Sequence, residues 1–513
     1  MINAVGREIP DVIQGDKKLS PFTRAFAAAP SMQRQAPAVK RIRPGESKLL
    51  DSLEEVFAKI PVTSGMTLSF HHHFRNGDEL VNMVLATAAR LGLKDLKIAL
   101  SSVFPVHAPL VEHMKNGVVT ALDTNYMSGP VAQAVSRGIL ENPVMLRTHG
   151  GRARAIECGQ LKIDVAFIAA PAADDYGNLN GVQGPAACGS LGYAFPDAEF
   201  AAHVVAVTDF LVEYPLSPVA IDQTRVDYVV KVDRVGDPKG IVSGTTKITK
   251  DPVGLKIAAA AARVINAAGL IKDGFSFQTG AGGASLATAH FVRQMMEENN
   301  VSGSFALGGI TGYMVEMLEK GLFKKLLDVQ GFDLDAIRSI AANPNHLEIS
   351  AGFYASPFNN GCAVNKLDAV ILGATEIDVD FNVNVVTGSD GVIMGGSGGH
   401  ADAAAGAKVT IVVANLLRGR LPIIVDKVHT VTTPGETIDV LVTERGIAVN
   451  PQRTDLKERL ICAGLPVKEI HELKSLAEKI AGVPDKLITG DRIVAVVEYR
   501  DGTIIDVIRQ VEA

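Results

Sequence analysis

Apolar residues recur along the chain in short blocks with two different spacings. Residues 66–70 and 96–100 are nearly continuous apolar runs with the length of buried strands, whereas Leu80, Val84 and Leu85 mark a helical spacing over residues 79–91. A helix is also predicted over residues 49–60. Strands of this kind that alternate with helices predict an α/β fold, in which a mostly parallel sheet is flanked by helices.

The second half of the chain restarts the same order of strand, glycine-rich turn and helix. The two halves show no convincing residue-level repeat, but a stretch rich in Gly, Thr, Lys and Pro separates them. Residues 455–480 have a helical pattern, and residues 493–499 and 504–511 form a predicted hairpin. We therefore predict an extended arm or partly disordered leader at 1–45, an N-terminal domain at 46–236, a linker at 237–254 and a C-terminal domain at 255–513.

One stretch of the second half combines a strand pattern with a loop of glycines. Apolar and polar residues alternate from Ile377 to Val385, which predicts a strand with one buried face. The loop GGSGGHAD follows at 395–402 and leads into an alanine run that indicates a helix. Glycine is used where another group must approach the backbone closely, so we expect such an approach here. The alternative is a flexible Gly/Ser loop on the surface.

Two more glycine-rich turns, residues 280–285 and 308–312, also connect a predicted strand to a predicted helix. Turns of this kind in a parallel sheet lie at the carboxyl ends of strands, where open α/β sheets bind ligands. Their backbone N–H groups suit a phosphate or a developing oxyanion. Neither turn has the spacing of a nucleotide-binding fingerprint. Three such turns in one half therefore predict a binding site at the loops.

Three consecutive histidines, His71 to His73, follow the strand at 66–70, and Arg75 comes two residues later. Consecutive residues at a strand end point alternately to opposite faces, and no metal-binding spacing accompanies them, so we predict no metal site. Two imidazoles together with Arg75 could recognise a carboxylate. A purely structural role for the histidines is the other reading.

Composition excludes several classes of protein. The 513 residues carry a net charge of -6, which disfavours nucleic acid as the main partner. The four cysteines are scattered and form no CxxC pair, so neither a disulfide scaffold nor a zinc knuckle is indicated. The N-terminus has no apolar signal core, and no apolar run is long enough to span a membrane. A soluble cytoplasmic enzyme is the expectation.

Several of these stretches together resemble a known family. ATEIDVD at 374–380, GGSGGHADAAAGA at 395–407 and DYGN at 175–178 resemble the CoA-transferase superfamily, as does VTTPGETIDVLVTERGIAVNP at 431–451. With the long leader, the set looks like the α subunits of bacterial citrate lyase from end to end. That resemblance implies two tandem NagB/RpiA/CoA-transferase-like domains. It also implies a citrate CoA-transferase activity, in which acetyl is exchanged for citryl on the thioester of an acyl carrier protein and acetate is released.

The chain departs from superfamily members that use a glutamyl thioester. Their nucleophilic glutamate lies in a Gly-Ile-His-Thr-Glu-Met-like stretch, and the counterpart here is GITGYM at 309–314, with Tyr313 in the glutamate's place. A phenol with a pKa of about 10 is a poor substitute for a carboxylate. We therefore expect no covalent enzyme intermediate. Instead, a carboxylate of citrate attacks the acetyl thioester and gives a citryl–acetyl anhydride, which the carrier thiolate reopens.

The resemblance and the turns give three groups of predicted site residues. The predicted catalytic residues are Gly309, Thr311, Gly312, Tyr313 and Glu376. The residues expected to border the thioester arm are Gly280, Ala281, Gly282, Gly283, Ser285, Gly395, Gly396, Gly398, Gly399, His400 and Asp402. The residues expected to bind citrate are His71, His72, His73, Arg75, Arg147, His149 and Arg152.

The resemblance also implies partners. No cofactor is expected to bind tightly, because the phosphopantetheine or dephospho-CoA-type arm belongs to the acyl carrier protein, the γ subunit. A citryl lyase, the β subunit, would complete a hetero-oligomeric complex. Two other readings stay open: an acyl-CoA transferase or hydrolase that forms a glutamyl-CoA thioester on Glu376, and a non-catalytic scaffold or metabolite-sensing subunit.

Overall fold

The structure is a computed structural model that describes residues 1–13, 17–27, 32–37, 40–242, 248–280 and 282–512. Two large sheets, of ten and eight strands, account for most of the strand pairing, and helices flank them. Most strand pairs within the two sheets are parallel, so the predicted α/β class is confirmed. No helix of the described residues is long and apolar enough to cross a membrane.

The first half of the chain forms most of the ten-stranded sheet. After β1 (Val12–Ile13) and β2 (Lys17–Lys18) in the arm, its strands are β3 (Leu49–Leu50), β4 (Thr67–Phe70), β5 (Leu96–Leu100), β6 (Val119–Thr124), β7 (Val144–Leu146), β8 (Val165–Ala170), β9 (Ala172–Asp174), β10 (Leu179–Asn180), β11 (His203–Thr208), β12 (Leu211–Val212) and β13 (Tyr228–Lys231). Its helices are α1 (Leu53–Lys59), α2 (Leu80–Arg90), α3 (Leu110–Lys115), α4 (Pro130–Ser136), α5 (His149–Glu157) and α6 (Phe195–Phe200).

The second half forms the eight-stranded sheet. Its strands are β14 (Ser276–Thr279), β15 (Gly303–Ile310), β16 (Phe323–Gly331), β17 (His346–Glu348), β18 (Ala369–Gly373), β19 (Glu376–Asp378), β20 (Val383–Asn384), β21 (Val409–Val413), β22 (Leu417–Arg418), β23 (Leu421–Pro422), β24 (Ile424–Val425), β25 (Val440–Thr443) and β26 (Gly446–Val449), followed by β27 (Thr489–Glu498) and β28 (Ile504–Val511). Its helices are α7 (Pro252–Ala267), α8 (Gly283–Glu298), α9 (Gly312–Glu319), α10 (Leu334–Ala342), α11 (Ala351–Ala355), α12 (His400–Gly406), α13 (Thr454–Cys462) and α14 (Ile470–Ala481).

The central strands of the two sheets have the same order. The first sheet contains the run β7-β6-β5-β4-β8-β11-β13, and the second contains β17-β16-β15-β14-β18-β21-β25. Every residue of β8 and of β21 is buried, which explains the continuous apolar runs in the sequence. The two halves are therefore built on the same topology, although their sequences show little sign of it.

A short residue-level repeat does follow from this topology. In each half, the strand after the central strand ends in an aspartate, Asp174 or Asp378, whose Oδ1 accepts hydrogen bonds from the backbone N–H groups two and four residues later at 2.9–3.0 Å. Each aspartate also binds the side-chain amide of the asparagine four residues later, Asn178 or Asn382, at 2.8 and 3.1 Å. Both turns connect an antiparallel pair of strands.

The turn at Asp378 contradicts the predicted continuous strand from Ile377 to Val385. Residues 379–382 form a turn instead, and Phe381 takes a left-handed conformation with φ 65° at the position that Gly177 occupies in the first half. Aspartate and asparagine compete with the strand ladder because their side chains bind nearby backbone groups. The alternating pattern survives because both short strands, β19 and β20, bury their apolar residues.

The C-terminal hairpin joins the first sheet, not the second. Strand β27 pairs in parallel with β7 through Ala495, Val496 and Val497, although the predicted range 255–513 placed it with the second half. The start of the N-terminal arm lies against this hairpin, through Asn3 and Phe22. The side chain of Asn3 donates to the carbonyl groups of Ile504 and Ile505 at 3.1 and 2.7 Å. Both ends of the chain therefore lie at the same edge of the first sheet.

Candidate active site

The loops at the carboxyl ends of the two sheets contact each other. Gln330, near the end of β16, donates through Nε2 to the carbonyl oxygen of His72, after β4, at 2.8 Å. The N–H of His149 donates to the carbonyl oxygen of Gly398 at 2.8 Å, and the N–H of Gly398 donates to that of Asn125 at 3.1 Å. Because strand ends are where parallel sheets place their ligands, this contact is the candidate active site.

Three aromatic rings from the first half stack at this contact. The ring of His72 lies 4.4 Å from that of Tyr193 and 5.5 Å from that of His149, centroid to centroid, and the rings of His149 and Tyr193 are 4.4 Å apart. Nδ1 of His72 lies 2.6 Å from the hydroxyl of Ser101, which fixes its ring plane. The three side chains therefore form one packed group at the start of α5.

Arg75 adds a cation to this group. Its guanidinium lies 5.0 Å from the ring centroid of Phe104, in the first half, and 5.3 Å from that of Phe332, in the second. A guanidinium over aromatic faces is stabilised by their quadrupoles. Arg75 has φ 53°, a left-handed conformation that a residue with a side chain rarely adopts. Strain of this kind concentrates at functional sites, so the conformation favours a role in binding.

The second half supplies Gln278 and Tyr354. Nε2 of Gln278 donates to the hydroxyl of Tyr354 at 2.9 Å. A methyl group at Gly399 would overlap that hydroxyl, and one at the adjacent Gly398 would lie 3.3 Å from Nε2 of His149. The two glycines thus bring the histidine and the tyrosine side by side. We call His72, Arg75, His149, Tyr193, Gln278 and Tyr354 the junction cluster.

Several buried polar atoms around the junction cluster lack a hydrogen-bond partner among the described residues. They are Nδ1 of His149, Oε1 of Gln278, Oγ of Ser397 and Oδ1 of Asn125. Buried polar atoms are almost always satisfied in folded proteins, so a group of exceptions needs an explanation. A polar ligand that accepts and donates hydrogen bonds at the junction would satisfy them.

The histidines of the junction are uncharged near neutral pH. Burial lowers the pKa of His149 to about 3, and the cations of Arg152 and Arg75 contribute in the same direction. Burial also lowers the pKa of His72 well below its usual value, and His149 and Arg75 lower it further. The adjacent His73, whose Nε2 lies 2.8 Å from the carbonyl oxygen of Ala169, has its pKa lowered by burial to about 4. Neutral imidazoles can still donate one hydrogen bond each.

Three of the residues predicted to bind citrate pair with carboxylates of the protein itself. Arg152 binds both oxygens of Asp197 at 2.8 and 2.9 Å, and Nε2 of His71 lies 3.1 Å from the same carboxylate. Arg147 binds Asp123 at 2.8 Å and also Glu498. Burial alone would lower the pKa of Arg147, but these two carboxylates raise it. The donors of Arg147 and Arg152 are thus largely occupied by carboxylates of the protein.

The 395–402 loop is approached closely, as the glycines indicated, but by the protein's own first half. A methyl group at Gly396 would overlap the carbonyl oxygen of Asn125, and one at Gly395 would overlap that of Val385. His400 lies between the hydroxyl of Thr433, at 2.7 Å, and the carbonyl oxygen of Gly373, at 2.9 Å. Burial lowers the pKa of His400 to about 4.

Asp402 connects this loop to helix α5. It accepts hydrogen bonds from the hydroxyl of Thr148 and the N–H of Gly150, both at 2.9 Å, and lies 3.4 Å from Nε of Arg500. Gly398 borders the junction cluster. The ring of His400 is bound within the second half, whereas the carboxylate of Asp402 holds the loop to the first half. That use of conspicuous polar residues was not visible in the sequence, because their partners are far away along the chain.

Replacing Gly396 with alanine is therefore expected to separate the halves at this loop. Overpacking of a close contact costs about 1–3 kcal/mol, so the variant's Tm should fall by several degrees and its activity with it. Gly373→Ala is the matched control, since a methyl group there meets no atom within 4 Å. Thermal unfolding of both variants checks this. A Gly396→Ala protein as stable as Gly373→Ala would mean that the loop adjusts freely.

The other predicted groups have mixed surroundings. Gly280 directly follows β14, and Gly282, Gly283 and Ser285 form the start of the sixteen-residue helix α8. Ala281 lies outside the described residues. Gly309 packs under the ring of Phe332, where a methyl group would overlap. Thr311 begins α9, and the N–H of Gly312 already donates to the carboxylate of Asp333 at 2.7 Å.

Tyr313 and Glu376 contact residues outside the junction cluster. The ring of Tyr313 lies 6.3 Å from that of His290, edge to face. Oε2 of Glu376 accepts hydrogen bonds from the side-chain amide of Asn384 and the N–H of His429, both at 2.9 Å. In the internal repeat, Glu376 corresponds to Ala172 of the first half.

The sequence did not predict four residues of this contact, which are Tyr193, Gln278, Gln330 and Tyr354. A usable signal existed for the two glutamines, because each is a polar residue near the carboxyl end of a strand. For the two tyrosines there was none, since an isolated tyrosine in a loop or short helix is common. Within the described residues, no group of His, Cys, Asp and Glu has the geometry of a metal site.

Comparison with solved structures gives the class of protein first. The α subunit of a malonate decarboxylase from Acinetobacter baumannii superposes with a TM-score of 0.62 at 18% identity, over 86% of this chain and 91% of that one. A malonate decarboxylase hetero-tetramer from Pseudomonas gives 0.64 at 19%, covering 85% and 86%. At such identities the likeness shows the fold alone, which is CoA-transferase-like.

Closer relatives give the family. The model of the citrate lyase α subunit, CitF, matches residues 46–511. The citrate lyase alpha chain of Klebsiella pneumoniae is 50% identical over 494 residues, 96% of either chain, and that of Haemophilus influenzae is 51% identical over 467, covering 91% and 93%. The chain belongs to the citrate lyase α-subunit family, the transferase component of citrate lyase. A Streptococcus mutans α subunit of citrate lyase, solved in complex with citrate, has a TM-score of 0.96 at 50% identity and covers 100% of both chains.

Proposed function

We propose that this chain exchanges the acetyl group of an acetyl-acyl carrier protein for a citryl group and releases acetate. Membership of the citrate lyase α-subunit family is the observation that carries the proposal. The junction cluster supports it, because one small region there combines a guanidinium and neutral imidazoles, next to residues of the second half. Donors of this kind suit a substrate with several carboxylates.

Citrate would lie against the junction cluster. Arg75 would hold one carboxylate by charge, and His72 and His149 would each donate one neutral hydrogen bond. The Streptococcus mutans protein, which is 50% identical to this chain, was solved in complex with citrate. That similarity supports a citrate site in this chain. A supporting role is left for His71, His73, Arg147 and Arg152, which contact groups of the protein and would hold the citrate-binding residues in place.

The reaction would need no nucleophile from the protein. A carboxylate oxygen of citrate attacks the carbonyl carbon of the acetyl thioester, the carbonyl electron pair moves onto oxygen, and its return expels the carrier thiolate. The thiolate then attacks the citryl carbonyl of the anhydride, and acetate leaves. Orientation of two bound reactants can supply about 7–11 kcal/mol, and preorganised donors a few more.

The thioester arm would approach from the second half. The start of α8, at Gly282 and Gly283, offers backbone N–H groups without a side-chain cap, and helix starts of this kind attract anions such as the phosphate of a phosphopantetheine arm. The 395–399 loop would line the other side. The arm and its acyl carrier protein are partners of the chain, as is a separate citryl lyase subunit.

The direct test combines the purified chain with citrate and a carrier protein that bears a ¹⁴C-labelled acetyl thioester. We expect labelled acetate to appear only when citrate is present, and mass spectrometry should find citryl on the carrier arm. No citrate-dependent release would favour the scaffold or sensing alternative and overturn the proposal.

Replacing Glu376 with glutamine separates the two enzymatic routes. The amide can still accept the hydrogen bond from His429, so the direct route predicts activity within about tenfold of the wild type, because Glu376 is not the nucleophile. A glutamyl thioester route predicts near-complete loss. Borohydride or hydroxylamine trapping during turnover provides the second readout, and a modified Glu376 would establish the glutamyl route instead.

A further inference from the structure

Two buried tyrosines, one from each half of the chain, belong to the junction cluster. Tyr193 lies in the loop before α6, and Tyr354 lies in α11. They are 5% and 2% exposed, and both lie near His149. The ring of Tyr193 is 4.4 Å from the ring of His149, and the hydroxyl of Tyr354 lies against Gly399, next to the Gly398 that faces Nε2 of His149. Neither hydroxyl has a role in the proposed binding of citrate or in the transfer steps.

The loop that carries Tyr193 is held in place by the second half. The hydroxyl of Ser190 donates to the carbonyl oxygen of Asp328 at 3.0 Å, and the N–H of Leu191 donates to Glu348 at 2.6 Å. A methyl group at Gly192 would overlap the carbonyl oxygen of Ile349. The stacking on His72 and His149 then fixes the ring itself. Tyr193 is thus preorganised by contacts from both halves.

The hydroxyl of Tyr354 is also oriented. It accepts the hydrogen bond from Gln278 at 2.9 Å, so its own proton is left to donate elsewhere. Burial raises the pKa of Tyr354, and nearby Asp402 raises it further. Burial likewise raises the pKa of Tyr193 well above its usual value, with Tyr354 and Asp402 contributing. Both phenols therefore stay protonated and can act as donors throughout the neutral range.

Backbone groups at the start of α9 are weaker candidates for the same task. The N–H of Gly312 donates to Asp333, whose carboxylate also caps α10 through the N–H of Ala336 at 2.9 Å. A carboxylate at that position would repel a developing oxyanion, because like charges raise each other's energy. Donors to the oxyanion must then come from another part of the junction.

We propose that the hydroxyls of Tyr193 and Tyr354, one from each half, donate the hydrogen bonds that stabilise the oxyanion of the thioester carbonyl. The inference rests on the proposed function. When the citrate oxygen bonds to the carbonyl carbon, the π electron pair becomes the third lone pair of that oxygen, and both phenols bind it without giving up their protons. The pair returns as the thiolate leaves, so no proton is transferred.

The test compares Tyr193→Phe and Tyr354→Phe with the wild type, because phenylalanine keeps the ring and removes only the hydroxyl. The matched control is Tyr499→Phe, since the hydroxyl of Tyr499 is also buried but its ring packs on Phe22 of the arm. The readouts are kcat for citrate-dependent release of labelled acetate, the Kd of citrate by calorimetry, and Tm.

Removal of one oxyanion donor typically lowers kcat by about 10²–10³-fold, and we expect that loss in each of the two junction variants. The Kd of citrate should stay within about twofold, because the oxyanion does not exist in the bound ground state. Values of kcat within threefold of the wild type for both variants would overturn the inference, as would a loss matched by weaker citrate binding. A wild type that releases no acetate would instead overturn the proposed function itself.

Discussion

Replacement of Arg75 by alanine is expected to lower kcat/KM for citrate by about 10³-fold, because truncating a buried, charged partner of a carboxylate costs about 2–5 kcal/mol. The guanidinium of Arg75 lies between rings from the two halves, 8% exposed, so little water is available to take its place. Alanine has the same difficulty with φ 53° as arginine, and the variant therefore gains nothing from a relaxed backbone.

Two companion variants define what Arg75 contributes. Arg75→Lys keeps the charge but loses the planar group that stacks on Phe104 and Phe332, and we expect it to recover only part of the activity. Arg234→Ala removes an exposed arginine that pairs with Glu79 and Asp237, and it should behave like the wild type. Steady-state kinetics with varied citrate checks all three. Near-normal kcat/KM in Arg75→Ala would show that citrate binds elsewhere.

Replacement of Glu498 by glutamine is expected to lower the free energy of unfolding by about 3–5 kcal/mol, since it removes the charge that pairs with two buried arginines. Glu498, at the end of β27, lies between two arginines. It binds Arg147 directly and Arg154 at 2.9 Å, and all three side chains are at most 5% exposed. Asp123 would remain as the only carboxylate that Arg147 binds among the described residues.

Glu54→Gln provides the comparison for this prediction. Glu54 also pairs with an arginine, Arg90, but the two side chains are 48% and 61% exposed. Exposed pairs contribute about 0–1 kcal/mol, so its loss should hardly change unfolding. Urea unfolding of both variants measures the difference. If Glu498→Gln is as stable as Glu54→Gln but fails to bind citrate, Arg147 would be a citrate ligand after all.

Local pattern predicted most elements with good bounds. The helix expected over 79–91 is α2, Leu80–Arg90, and the strand expected over 96–100 is β5. Such elements are readable because the apolar spacing that buries one face is set within a few residues. The turn at Asp378 was not predicted, because the alternating apolar pattern continues through it. Such a pattern does not show where a carboxylate binds the backbone of its own turn.

The candidate site was predictable only in part. The sequence placed His72, Arg75, His149 and the 395–399 loop in one site, and the structure brings these residues together at the junction. It did not predict that Arg147 and Arg152 would pair with carboxylates of the protein, because the residues that decide this are remote. Glu498, which binds Arg147, is 351 residues away along the chain.

The sequence by itself determined the α/β class, most helices and strands, and the family, because these depend on local periodicity and on contiguous motifs. Only the tertiary structure decided that the C-terminal hairpin completes the first sheet, that Gly396 and Gly398 admit the other half of the chain, and which charges face the site. The physical reason is that desolvation and pairing act between groups brought together by folding, and their separation along the chain carries no information about that distance.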